Sequence, residues 1–207
     1  MGRLDNKVAV VTGGASNPSL GRAMSIAFAR EGAKVVLTDI DTEGGKKVEE
    51  EILNSSGEAF FIKQDVTSSE DWKEVRNQTL GKYNKIDILV NNAGTNIPSS
   101  LVDTKIDDFD YVMSLNVKSV ISLTQNVVQK MIANNVKGSI INVSSQMGHV
   151  GGPNRTTYCS TKFAIEGFTK SLAIELAPNG IRVNSICPTF IKTPMTEPFL
   201  KDEEFKK

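Results

Sequence analysis

The stretch TGGASNPSLG, Thr12 to Gly21, lies between the apolar run KVAVV (7–11) and the Ala-rich segment LGRAMSIAFAREG (20–32). Glycines after a first strand allow a tight turn, through which backbone N–H groups approach a phosphate at the start of the next helix. Here six residues separate Gly14 from Gly21, Ser19 stands where a second glycine is expected, and Asn17-Pro18 lengthens the loop. Serine is a good helix N-cap, and its hydroxyl can also donate to a phosphate. The stretch therefore reads as a lengthened phosphate cradle around Gly13, Ser19, Leu20 and Gly21. Alone it is a weak motif; its surroundings decide the fold.

Outward from the turn, six apolar runs recur: VAVVT (8–12), KVVLTD (34–39), AFFIKQD (59–65), IDILVNN (86–92), SIINVSS (139–145) and IRVNSIC (181–187). Most are continuous in Val, Ile and Leu, as in strands buried on both faces of a parallel sheet. Helical segments separate them. The first places Leu20, Ala23, Met24, Ala27 and Phe28 on one face, and others are read at 42–55, 69–82, 107–134 and 157–177. Alternating strands and helices predict a doubly wound α/β layer of Rossmann type, three layers deep, in a single domain spanning 1–207.

Composition narrows the function. Lys plus Arg and Asp plus Glu number 24 each in 207 residues, so no net field draws the chain to nucleic acid or an anionic membrane. Cys159 and Cys187 are 28 apart with no CxxC pair, and His149 is the lone histidine. That spacing reads as neither a zinc site nor a disulfide framework, and no metal is expected. No run approaches the ~18 apolar residues of a membrane span. The cytoplasm is the expected compartment. His149, four residues after Ser145, invites a Ser/His hydrolase reading, but no GxSxG elbow surrounds the serine.

Asp39 ends the second run, 18 residues beyond Gly21, where a carboxylate can hydrogen-bond a ribose diol and would repel a 2'-phosphate. NAD is thus favoured over NADP. An Asp here is as readily a helix cap or turn residue; the Gly turn upstream tips the balance. The stronger signal is YCSTK, Tyr158 to Lys162. Four residues apart on a helix, the two side chains share a face. A phenol is a poor base near neutrality, and a neighbouring cation stabilises its phenolate, which suits the pair to exchanging a proton with an alcohol or carbonyl oxygen. Ser144-Ser145 closes the preceding strand at the edge where such folds bind ligands.

These residues resemble the short-chain dehydrogenase/reductase family over essentially the whole chain, in its YxxxK branch. The matches run in order: TGG from Thr12, Asp39, Asp65-Val66, NNAG (91–94), SLN (114–116), NVSS (142–145), YCSTK, and RVNSICP ending at Pro188. The resemblance implies Tyr158 as acid/base on the substrate oxygen and Lys162 as the group that lowers its pKa and binds the nicotinamide ribose. Ser145 would orient the substrate carbonyl, ahead of Ser144, and Asn116 would hold a water in a proton relay. Asp65 and Val66 would contact the adenine side, and Asn92, Ala93 and Gly94 would line the cofactor. Pro188, Ile191 and Thr193 would lie at the nicotinamide. The implied activity is hydride transfer between NAD and a small secondary alcohol or ketone, in a homodimer or homotetramer built on helices 107–134 and 157–177.

Departures from the family pattern are the lengthened turn and Thr189 in place of the glycine that usually follows Pro188. The turn somewhat resembles that of the divergent enoyl-carrier-protein reductases, but those separate Tyr and Lys by six residues rather than three. The chain stops at Lys207, where the family's mobile substrate-binding segment begins. A last helix and seventh strand are therefore expected to be missing, with 181–187 an exposed apolar edge. Met147, Val150, Met195 and Phe199 are candidate pocket residues. Two rival functions are a catalytically silent dinucleotide-binding subunit and a 3-oxoacyl-carrier-protein reductase using NADPH.

Overall fold

The structure, a computed structural model, describes residues 2–194 and 196–201, without the side chains of 198 and 199. Met195 and the Phe199 side chain therefore lie outside the described residues. Six strands form one fully parallel sheet: β1 (Val8–Thr12), β2 (Lys34–Asp39), β3 (Glu58–Lys63), β4 (Ile88–Asn91), β5 (Ser139–Val143) and β6 (Arg182–Ile186), in the order β3-β2-β1-β4-β5-β6. This is the Rossmann order. Its reversal point lies between β1 and β4, and ligands bind in the crevice beyond the strand ends there.

Register builds the core. Phe60, Val36, Val10, Leu89, Ile140 and Val183 stand opposite one another across all six strands. This row packs against Trp72 and Val75 of α3 (Ser69–Tyr83), Leu123, Val127 and Met131 of α5 (Ser119–Ala133), and Leu176 of α6 (Thr156–Leu176). Neighbouring residues face the other way, since strand side chains alternate. Val11, Val35, Leu37, Ile88 and Val90 pack under Ala29 of α1 (Leu20–Arg30) and Val48 and Ile52 of α2 (Thr42–Asn54). Runs that are apolar at every position are thus explained by two dry faces.

β1 and β2 match their apolar runs, whereas β3 to β6 end before theirs, because the last residues leave the ladder to form loops. Gln64 and Asp65 follow β3, and Ser144 and Ser145 follow β5. The expected helix 107–134 is not one helix. It divides into α4 (Ile106–Met113), a π turn over Ser114–Lys118, and α5. In this turn buried Asn116 meets the loop after β4, where its amide pairs with the backbone of Thr95. At the sheet edge, β6 pairs only with β5 among the described residues. The edge is less apolar than expected: Arg182 and Asn184 are exposed, Val183 is buried, and Ile186 is 39% exposed. No helix among the described residues is long and apolar enough to cross a membrane.

Candidate active site

A cavity of about 380 Å³ opens over the carboxyl ends of β1, β4 and β5. At one end is the turn after β1. Gly13 holds φ +69°, and a Cβ there would meet Ala93 Cα at 2.9 Å; one on Gly21 would meet Gly13 O at 2.2 Å. Both positions therefore need glycine, which brings the start of α1 onto the strand end. Ser19 is the N-cap, its Oγ accepting from Arg22 N at 3.1 Å. That bond leaves the hydroxyl hydrogen available to an anion at the helix start.

Asp39 lies at the same end. Its carboxylate accepts from Ala15 N at 2.9 Å and Asp41 N at 3.1 Å, which fixes it at the cavity wall. Asp65 and Val66 follow along that wall. Gln64, 1% exposed, accepts from Thr38 Oγ1 at 2.6 Å and has no partner for its Nε2 among the described residues, although it lines the cavity. A dinucleotide fits this end on three counts: glycines that a Cβ would block, an N-cap hydroxyl, and a buried donor without a partner.

Thr12 joins the two halves. Its Oγ1 accepts from Asn92 N and Ala93 N, each at 3.0 Å, while Asn92 Nδ2 donates to Thr12 O and Gly13 O. Beneath, Asn91 Nδ2 donates to Asn142 Oδ1 (2.8 Å) and Thr124 Oγ1 (3.0 Å), and Asn142 Nδ2 to Thr169 Oγ1 (2.9 Å). This buried ladder ties β4 and β5 to α5 and α6 beneath the cavity.

The other end holds the reactive pair. Tyr158 and Lys162 share a face of α6, with Lys162 Nζ 5.5 Å from the centre of the Tyr158 ring. Lys162 is 6% exposed and its Nζ donates to Val143 O at 2.9 Å. Burial lowers its pKa from 10.5 to about 8. Tyr158 differs from the expectation that Lys162 lowers its pKa. Burial is the largest influence and raises it, while hydrogen bonding to Ser145 and the charge of Arg155 pull it down. The phenol therefore stays protonated at neutral pH in the chain alone, as a proton donor.

Ser145 lines the cavity with Tyr158, and its Oγ accepts from Met147 N at 3.1 Å. Ser144 faces α6, its Oγ donating to Lys162 O at 3.5 Å. Pro188, Ile191 and Thr193 form the facing wall. Gly21 and Asn116 do not line the cavity. Gly21 lies under the cradle, and Asn116 braces the loop after β4: its Oδ1 accepts from Thr95 N (2.9 Å) and its Nδ2 donates to Thr95 O (2.8 Å) and Thr161 Oγ1 (3.2 Å). The Asn116 side chain is thus engaged with the Thr95 backbone and Thr161.

Of the earlier pocket candidates, Met147 lines a small side cavity that also holds Ser145 and Tyr158, while Val150 is more than half exposed. Sequence reading missed Arg155. It is 6% exposed, lines the same side cavity, and acts on the phenol through its charge. An arginine three residues before the tyrosine, at the helix start, was the available signal.

The family model described as short chain dehydrogenase matches residues 7–204. The chain is 43% identical over 195 residues to 3-oxoacyl-(acyl-carrier-protein) reductase FabG of Thermotoga maritima, covering 94% of this chain and 78% of that protein. It is 40% identical over 200 residues to cyclopentanol dehydrogenase of Comamonas testosteroni (97% and 79%) and 39% identical over 196 residues to 3-alpha-(or 20-beta)-hydroxysteroid dehydrogenase of Mycobacterium bovis (95% and 73%). The chain belongs to the short-chain dehydrogenase family, whose members are NAD(P)-dependent oxidoreductases.

Proposed function

We propose that the protein is an NAD-dependent oxidoreductase acting on a small secondary alcohol or ketone, with Tyr158 as acid/base. The observation that carries this reading is one cavity with Asp39 fixed at one end and Tyr158, Lys162 and Ser145 gathered at the other. Bound nicotinamide would supply or accept the hydride. Ser145 orients the substrate oxygen, and Tyr158, protonated at neutral pH, donates to the alkoxide that forms as a ketone is reduced; in the reverse direction its phenolate takes the alcohol proton. Ser145 and the Arg155 charge favour that phenolate, and the Lys162 ammonium, anchored on Val143 O, would hold the nicotinamide ribose. Gly13, Ser19, Asp65, Val66, Asn92, Ala93, Gly94, Pro188, Ile191 and Thr193 would hold the dinucleotide along the wall.

The carboxylate of Asp39 favours NAD, since a 2'-phosphate beside it would meet like charge. Apolar side chains exposed on α5 and α6, Ile121 at 42%, Phe163 at 51% and Ile174 at 79%, support a homo-oligomer. A second reading, a 3-oxoacyl-carrier-protein reductase using NADPH, is favoured by the 43% identical relative. Titration with NADH and NADPH, followed by a panel of ketones and one acyl thioester, tests both with the wild type and Tyr158→Phe. Tighter NADH binding and ketone turnover lost in Tyr158→Phe are expected. Preference for NADPH with thioester turnover favours the second reading. Cofactor binding without turnover of any substrate points to a silent dinucleotide-binding subunit.

A further inference from the structure

Outside the cavity, three side chains from distant parts of the sequence converge behind α6. They are His149 in the connection from β5, Glu166 one turn beyond Lys162, and Cys187 just after β6. Cys187 Sγ is 3.4 Å from His149 Nε2 and 3.3 Å from Glu166 Oε1, and His149 Nε2 is 3.6 Å from Glu166 Oε2. One ligand atom from each lies within 4.8 Å of the other two. None of the three lines the cavity.

We propose that His149, Glu166 and Cys187 form a binding site for a borderline divalent cation, Zn²⁺ in preference to Mg²⁺ or Ca²⁺. Zinc bonds of ~2.0–2.3 Å to N, O and S place the ligand atoms of a tetrahedral site roughly 3.3–3.8 Å apart; the Cys187–His149 pair already stands at 3.4 Å, and the full set, one atom from each residue within 4.8 Å, closes to that spacing with a small turn of the Glu166 carboxylate or the exposed His149 ring. An imidazole with a thiolate selects zinc over the hard cations, which take oxygen ligands alone. Glu166 is buried at 6% exposure and is oriented by Ser185 Oγ, which donates to its Oε2 at 3.1 Å, as metal-binding carboxylates commonly are. The His149 side chain is 52% exposed, which leaves an entry path and an open fourth position for water. On binding, the Cys187 thiol gives its proton to solvent, and the thiolate and carboxylate together neutralise the ion.

The spacing of the three residues in sequence conceals this arrangement, which arises only when β6 is laid beside β5 and under α6. Occupancy ties together the loop after Ser145, the middle of α6 and the end of β6. Cys187 is followed by Pro188, which lines the cavity. The ion would therefore stabilise the chain and stiffen the substrate end of the site without entering the reaction.

The test uses the untagged full chain, stripped with a chelator and titrated with Co²⁺ and then Zn²⁺. The expected result is one Co²⁺ per chain, with thiolate-to-cobalt charge-transfer and tetrahedral d–d bands that Zn²⁺ abolishes. Zn²⁺ at a hundredfold excess over its Kd is expected to raise Tm by ~5–10 °C. Cys187→Ser should lose the charge-transfer band, His149→Ala should weaken Co²⁺ binding by ~10-fold or more, and Cys159→Ser should change neither. The proposal is overturned if the wild type shows no charge-transfer band, if the band survives in Cys187→Ser, or if His149→Ala binds Co²⁺ as tightly as the wild type. His149 is largely exposed, so that variant carries the test even if Cys187→Ser fails to fold.

Discussion

Replacing Lys162 with methionine should make the protein without cofactor harder to unfold at pH 7, although the lysine is central to the proposed chemistry. Burial takes its pKa from 10.5 to about 8. At ~1.4 kcal/mol per tenfold change in proton affinity, the buried ammonium opposes folding by roughly 3 kcal/mol at pH 7. Methionine has similar length and no charge, and leaves the Val143 carbonyl without its donor, a loss of about 1 kcal/mol. A net gain of ~2 kcal/mol is expected at pH 7. Between pH 8 and 10.5 the unfolded chain holds the lysine proton more tightly than the folded chain, so wild-type stability rises with pH across that window. The penalty is fully present below about pH 8 and falls below ~1 kcal/mol at pH 10. The advantage of the variant should therefore fall by roughly 2–3 kcal/mol from pH 7 to pH 10, where the two proteins should be about equally stable or the wild type slightly more so. Urea unfolding of both proteins at pH 7, 8.5 and 10, followed by the fluorescence of buried Trp72, measures that gap. Tyr158 and Cys187, both raised by burial, stay protonated at pH 7 in both proteins, so the pH 7 comparison is free of their titration. A methionine variant less stable at pH 7, or a gap that does not change with pH, would refute the reasoning.

Asp39→Asn should keep an acceptor for Ala15 N while removing the charge at the ribose end. At ~5 Å and an effective dielectric between protein and water, this relieves roughly 2 kcal/mol of repulsion toward a 2'-phosphate, so the NADH-to-NADPH affinity ratio should fall about 30-fold in paired fluorescence titrations. Gly21→Ala would place a methyl 2.2 Å from Gly13 O. A stability loss of ~2 kcal/mol or more, with weakened NADH binding, is expected by thermal melting and titration. Arg155→Met removes a positive charge that lowers the Tyr158 pKa. The rising limb of the pH profile for alcohol oxidation should move to higher pH; a profile that stays in place would show that the guanidinium does not act on the phenol.

The sheet was legible because both faces are buried, so VAVVT and KVVLTD are apolar at every position and can be read without knowing the strand order. The reactive pair was legible because a spacing of four on a helix is a local fact. What escaped depends on groups far apart in sequence. The π turn at Ser114–Lys118 has no propensity signature, and its Asn116 meets Thr95 from 21 residues away. Gln64 sits near the end of an apolar run yet leaves the strand to line the cavity. The influence of Arg155 on Tyr158 follows from burial in a side cavity, and the high proton affinity of Tyr158 follows from desolvation that outweighs its neighbours, neither of which a spacing can convey.

The contact between Gly13 and Gly21 has a practical corollary. Because the strand end and the helix start are pinned to each other directly, the seven residues between them form a closed excursion whose length does not govern how α1 docks on the sheet. Lengthening such an excursion costs little, since closure entropy grows only with the logarithm of its length. The segment 16–18 is thus a natural place to graft or trim residues when reshaping coenzyme choice, with Ala15, which holds Asp39, and the Ser19 cap left in place.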